Sequence, residues 1–302
     1  MRSAKQPDAG VLPVSAKWSL LTSHFFLALL PSHFFLRTSS FLILTSAFLL
    51  LTLLLSRRSF LATSLLAPSL ACELLNAQSG TGRLRARVRP GVRTSISSER
   101  SLALGLDTER DALLKVPQDL SKPLPLLVAF HGAGQSAEWM LNAIALHATA
   151  AGVAVLAPYS RSSSWDAIRG DYGVDVAFID RALEKTFSTI AVDPARITLG
   201  GFSDGATYAL SLGRINGDAF RKVVAFSPGF VIDGTPAGKP EFFITHGTDD
   251  RILPIERCSR RIVPALRSEG YAVTYKEFVG GHQVEPGLAV EAMRWAASVP
   301  RA

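Results

Sequence analysis

From residue 80 onward the chain alternates between short apolar runs and longer stretches in which apolar side chains recur every three or four positions. The runs at 112–116, 124–130, 153–157, 197–200, 223–226, 242–245 and 273–278 have the length of strands, and the stretches near 137–150, 174–185, 205–212, 256–268 and 285–297 have helical period. Several of the central runs are apolar without interruption, as expected of strands covered on both faces. Such alternation over roughly 220 residues predicts an α/β fold, a three-layer αβα sandwich around one mostly parallel sheet. Ahead of it, residues 83–89 alternate strictly: Leu84, Ala86 and Val88 on one side, four arginines on the other. That pattern predicts an edge strand with one solvated face, its arginines discouraging further pairing.

The first 77 residues have a different texture. Between Lys17 and Glu73 the only formal charges are Arg37, Arg57 and Arg58, and the stretches 18–36 and 38–56 carry none. At about 1.5 Å per residue each is long enough to cross a bilayer core as a helix. Ser56-Arg57-Arg58-Ser59-Phe60-Leu61 resembles a twin-arginine export motif, followed by an uncharged stretch and by small residues suited to cleavage at Ala71 and Ala77. The two arginines can also be read as the flanking charges of a membrane anchor. The expected organisation is therefore a hydrophobic leader or anchor over 1–77 and one catalytic domain over 78–302. It places the protein across or against a membrane, periplasmic, extracellular or tethered, in a bacterial setting, with membrane contact only through this segment.

Charge changes the picture little. The chain of 302 residues carries a formal +7, but residues 78–302 hold 26 basic against 23 acidic side chains, so no nucleic-acid partner is implied. Two cysteines cannot make a disulfide framework or a cysteine-rich metal site, and no metal or cofactor is expected.

The chemistry gathers at four turns, each following an apolar run. Gly201-Phe202-Ser203-Asp204-Gly205 reads strand, sharp turn, helix. In this pattern the serine sits on a strained bend, with glycines beside it where a Cβ would collide with the crossing chain. A serine hydroxyl is a weak nucleophile without a base, and the base needs an orienting carboxylate. In chain order after Ser203 come Thr248-Asp249-Asp250 and Gly280-Gly281-His282, which supply Asp250 as orienter, preferred over Asp249, and His282 as base. His131 and His246 precede glycines at strand ends and are read as braces of their turns; His147 lies in a helix. Upstream, His131-Gly132-Ala133-Gly134 is a glycine turn that can aim a backbone N–H at an oxyanion. The amides of Ala133 and Asp204 are expected in that role, with Gly132 as a substitute for Ala133.

These four motifs, with Leu253-Pro254, resemble the phospholipase/carboxylesterase family of α/β-hydrolases, whose members include acyl-protein thioesterase-like enzymes. The resemblance covers about residues 110–297. It implies the α/β-hydrolase fold and hydrolysis of a small-molecule carboxylic ester by a Ser-Asp-His triad through an acyl-enzyme. Asp204 stands where many thioesterases of the family carry Gln. The segment 227–240 is short, leaving no room for a large cap domain, so an open pocket for short or medium acyl esters, lysophospholipids among them, is expected. Tyr159, Trp165, Phe230 and Val231 are its candidate walls. A peptidase or acyltransferase on the same scaffold, and a non-catalytic binding module, are the competing readings; fold alone cannot separate them.

Overall fold

In the computed structural model, residues 80–96 and 101–300 are described. The leader expected over 1–77, with its twin-arginine-like motif, lies outside the described residues.

The seven-residue run 124–130 becomes β3 (Leu124–Phe130), every residue of it buried. Its side chains alternate between two cores, as the period of two requires. Leu124, Leu126, Val128 and Phe130 face one core, Leu127 and Ala129 the other. The same division runs through β4 (Ala154–Pro158), β6 (Lys222–Phe226) and β7 (Glu241–Gly247), where Leu156, Ala225 and Ile244 face the first core and Val155, Val224 and Phe243 the second. The sheet is completed by β1 (Leu102–Ala103), β2 (Ala112–Lys115), β5 (Val192–Phe202) and β8 (Val273–Phe278), in the order β1-β2-β4-β3-β5-β6-β7-β8. The β1–β2 and β2–β4 pairs are antiparallel, and all the others are parallel.

Helices cover both faces. On one side lie α1 (Ala137–Ala150) and α6 (Pro286–Ala297), which contribute Met140, Ile144, Ala292 and Met293 to the second core. On the other lie a short α2 (Asp166–Arg169), α3 (Val174–Thr189), α4 (Asp204–Ile215) and α5 (Ser259–Ser268). The result is the three-layer α/β-hydrolase architecture. No helix forms between residues 227 and 240. Among the described residues no helix is long and apolar enough to cross a membrane.

One expected element differs. Residues 83–89 keep their alternation, with Leu84 and Ala86 buried and Arg85, Arg87 and Arg89 exposed, but they join no sheet. This segment lies against helices, which offer no strand edge. Side chains satisfy its amides instead: Leu84 N–H donates to Asn216 Oδ1 at 2.8 Å, and the Arg85 and Ala86 N–H groups donate to the Asp180 carboxylate at 2.8 and 3.0 Å. The helix expected over 256–268 starts only at Ser259, because residues 254–258 are taken up by turns.

Candidate active site

Parallel strands β3, β5, β6, β7 and β8 all end at one edge, and the loops leaving that edge carry the chemistry-bearing residues. β5 hands directly to α4 through Ser203, whose backbone sits at φ 58°, ψ −120°. This is the left-handed region that a residue with a Cβ adopts only at a cost of about 1–3 kcal/mol, and it needs surrounding structure to hold it. The hold is visible: Ser203 N–H donates to Phe226 O of β6 at 3.0 Å, and Ser203 O accepts the first helical bond from Thr207 N–H at 3.0 Å. The flanking glycines follow from contact. A Cβ on Gly201 would lie 2.7 Å from Phe130 O, and one on Gly205 would lie 2.6 Å from His131 O and closer still to Phe130 O. The end of β3 and the residue after it fill the space at Gly205, while at Gly201 the Gly205 backbone of α4 stands closer still than Phe130 O.

His282 follows β8 and lies between Ser203 and Asp250. Its Nε2 is 2.8 Å from Ser203 Oγ, and its Nδ1 is 2.6 Å from Asp250 Oδ2. Asp250 is only 5% exposed, and each of its oxygens is occupied. Oδ1 accepts N–H bonds from Ile252 at 2.9 Å and Leu253 at 2.8 Å; Oδ2 faces His282 and, at 3.2 Å, His246 Nε2. Its neighbour Asp249 is exposed. His246 is fully buried, with Nδ1 2.7 Å from Ser259 Oγ and Nε2 2.8 Å from Leu253 O. Burial holds its pKa below the usual histidine range, so it stays neutral beside the carboxylate. With Nε2–H donating to Leu253 O, it fixes the turn that carries the two amides on Asp250. A buried carboxylate is tolerable here because three donors, the Ile252 and Leu253 amides and His282 Nδ1, satisfy it.

The 131–135 loop lies directly on Ser203: a Cβ built on Gly132 would sit 3.2 Å from Ser203 Cβ. Neither Ala133 N–H nor Asp204 N–H donates to a protein acceptor among the described residues. Asp204 N–H is a first-turn amide of α4, which helix geometry leaves without an intrahelical partner. Gly132 is different. Its N–H donates to Gln135 Oε1 at 2.9 Å, so it is already committed and cannot stand in for Ala133. The loop is braced from outside: Gly134 N–H donates to Ser163 O at 2.6 Å, Ser160 N–H to His131 Nε2 at 3.1 Å, and Trp165 Nε1–H to His131 O at 2.9 Å. Burial also lowers the pKa of His131, which remains a neutral acceptor for Ser160. Ser164 Oγ–H donates to Asp204 Oδ2 at 2.5 Å, tying the bracing loop between β4 and α2 to the head of α4.

Of the four expected pocket walls, Trp165 is corrected. It has no exposed surface and stacks on Tyr208 at 5.1 Å between ring centres, with Phe130 edge-on at 5.0 Å. It is core beneath the loop, because its indole N–H finds a carbonyl there. Tyr159 is half-buried, edge-on to His131 and covered by the Arg110 guanidinium 4.2 Å from its ring centre. Phe230 and Val231 line a cavity of about 250 Å³ beside α5 with Ile262 and Leu266, and that lining does not include Ser203. Trp139, which the apolar pattern did not single out, is 36% exposed and stacked on Phe202, the residue before Ser203. Its helical spacing beside Met140 gave no sign of this. Among the described residues no group of three or more His, Cys, Asp or Glu side chains is placed to hold a metal.

Residues 175–294, which include Ser203, Asp250 and His282, match the family model described as Phospholipase/Carboxylesterase. Feruloyl esterase C of Emericella nidulans is 30% identical over 157 residues, 49% of this chain and 57% of that protein, so the chain spans little more than half of its curated relative's length. Two solved structures share the architecture. S-formylglutathione hydrolase from Staphylococcus aureus superposes with a TM-score of 0.52 at 16% identity, over 66% of this chain and 99% of that one. Acetyl xylan esterase from Aspergillus awamori does so with a TM-score of 0.51 at 15% identity, over 65% of this chain and 98% of that one. Through the stretch 175–294, then, the chain is similar to the phospholipase/carboxylesterase family, and its fold is that of the α/β-hydrolases.

Proposed function

We propose that the protein hydrolyses carboxylic esters with Ser203 as nucleophile, His282 as general base and acid, and Asp250 as the residue that orients the imidazole. The observation that carries this reading is the unbroken chain Ser203 Oγ···Nε2 His282 Nδ1···Oδ2 Asp250, at 2.8 and 2.6 Å. The Asp250 carboxylate keeps the proton on Nδ1, which leaves the Nε2 lone pair facing the hydroxyl. As Ser203 Oγ bonds to the ester carbonyl carbon, its proton passes to Nε2 and the carbonyl oxygen becomes an oxyanion. The amides of Ala133 and Asp204 are the donors for that charge, each worth a few kcal/mol of barrier. The tetrahedral intermediate collapses, the C–O bond to the alcohol breaks, and His282 gives the departing oxygen its proton. Water, deprotonated by the same imidazole, then attacks the acyl-enzyme and releases the acid and free Ser203.

Short and medium acyl esters, including lysophospholipids, are the substrates we assign, since residues 227–240 form a loop and not a cap. The reading of residues 1–77 as an export or anchoring segment belongs to the same proposal, and fractionation of the full chain in a bacterial host tests it. For the chemistry, a fluorophosphonate probe should label Ser203, and short 4-nitrophenyl esters should turn over. Cleavage of aminoacyl amides in preference to esters would move the reading to a peptidase, and acyl transfer to an added alcohol to a transferase. A folded protein that takes up no probe would be a binding module.

A further inference from the structure

Three rings lie in a row beside the nucleophile. The His282 ring packs on Phe202 with 4.7 Å between centres, and Phe202 stacks on Trp139 at 5.2 Å with 27° between the planes. Phe202 is 4% exposed and has almost no surface left for a ligand, whereas Trp139 is 36% exposed. The indole is thus the accessible end of an aromatic row that leads to the base. Trp139 comes from the first turn of α1, the helix entered directly from the 131–135 loop, and its backbone N–H donates to Ser136 Oγ at 3.1 Å. Its backbone is therefore fixed relative to Ser203 on both sides, through the capped helix and through Phe202.

A single exposed indole needs no explanation by itself; what sets Trp139 apart is its place at the open end of the ring row that leads to His282. The two other loops of the site also present bare apolar side chains: Ile252 is 70% exposed two residues after Asp250, and Val279 is 90% exposed three residues before His282. An indole differs from these in having a flat π-surface. A planar ring gains offset stacking or edge contact with it beyond the area buried, which an alkyl chain of similar size does not. We propose that Trp139 is a specificity-determining residue that receives a planar aromatic moiety of the ester, next to the scissile bond. This rests on the serine esterase reading above and adds the substrate class.

The test compares kcat/KM on ethyl benzoate, aromatic on the acyl side, phenyl acetate, aromatic on the alcohol side, and ethyl acetate, aromatic on neither, for the full chain and for Trp139→Ala, Trp139→Leu and Trp139→Phe. In the Ala and Leu variants the ratio of at least one aromatic ester to ethyl acetate should fall about tenfold, chiefly through KM. The Phe variant should stay near the parent ratio. The arm that falls says whether the ring belongs to the acid or to the alcohol. Ratios that stay constant in all variants overturn the proposal; a parallel loss on all three esters would mean that Trp139 acts only by propping Phe202 against His282. Failure of the esterase reading looks different, since the parent protein would then hydrolyse none of the three.

Discussion

Replacing Asp250 by Asn preserves the shape of the side chain while changing one oxygen into an amide nitrogen, and the structure dictates which one. Oδ1 accepts two backbone N–H groups, from Ile252 at 2.9 Å and Leu253 at 2.8 Å. An amide NH2 in that place would oppose both donors, so the carbonyl oxygen stays there and the NH2 takes the position of Oδ2. It then faces His282 Nδ1, which lies 2.6 Å from Oδ2 in the parent protein. Two donors cannot share that contact. The imidazole answers by moving its proton to Nε2, where it donates to Ser203 Oγ and has no lone pair left to take the serine proton. His246 is little disturbed, since its Nε2–H already points to Leu253 O at 2.8 Å. The loss is that of a wrong tautomer, about 10⁴-fold in kcat, or ~5.5 kcal/mol of barrier. Stability should change little, because the shape and both backbone bonds are kept. The assay is turnover of a short 4-nitrophenyl ester alongside urea unfolding, with Asp249→Asn as comparison, expected within about threefold of the parent because Asp249 is exposed. Activity within tenfold of the parent for Asp250→Asn, or a collapse in Asp249→Asn instead, would refute the assignment.

Other consequences can be read from single contacts. Gly205→Ala drives a methyl into Phe130 O and His131 O, both backbone, so β3 and the 131–135 loop must move; soluble protein should be lost, or destabilised by more than about 3 kcal/mol, with activity down at least a hundredfold. Near-normal activity and melting would sink the packing account of that glycine. Lys222 is 1% exposed and donates to Trp295 O, Ser298 O and Ser298 Oγ at 2.6, 2.7 and 2.8 Å, closing the end of α6. Lys222→Met leaves those acceptors unpaired and should cost about 2–3 kcal/mol in urea unfolding without changing kcat of the folded fraction. An unchanged urea midpoint would mean that these bonds add nothing to stability. Burial, with Asp166 close by, pushes the Asp175 carboxyl up to about 6. The folded state therefore holds this proton more tightly than the unfolded chain, and stability from this group falls by up to about 3 kcal/mol as pH rises from about 4 through 6. The parent should accordingly lose stability relative to Asp175→Asn over that range; a constant gap would contradict the shift.

The fold was legible in the sequence because its elements are unusually pure. An uninterrupted apolar run such as 124–130 has no solvated face and, at seven residues, the length of an interior strand, and residues 137–150 repeat their apolar positions at helical spacing. The glycines at 201 and 205 were legible for a similar reason: the turn needs missing side chains, and missing side chains show in a sequence. What local pattern could not decide was the partner. Residues 83–89 alternate as a strand does, yet alternation states only that one side is buried, and tertiary packing put helices there, with Asn216 and Asp180 in place of a neighbouring strand. Trp165 and Trp139 carry the same indole, and their surroundings alone assign the first to the core, donating to His131 O, and the second to the rim of the site on Phe202. Likewise the Gly132 amide was available on paper and is consumed by Gln135 three residues on. Periodicity and steric exclusion act through neighbours along the chain, so they are written in its order. Who accepts a given proton, and which face of a ring meets water, depends on atoms far along the chain, 79 positions for His282 and Ser203 and 132 for Leu84 and Asn216, and is settled only when the chain closes on itself.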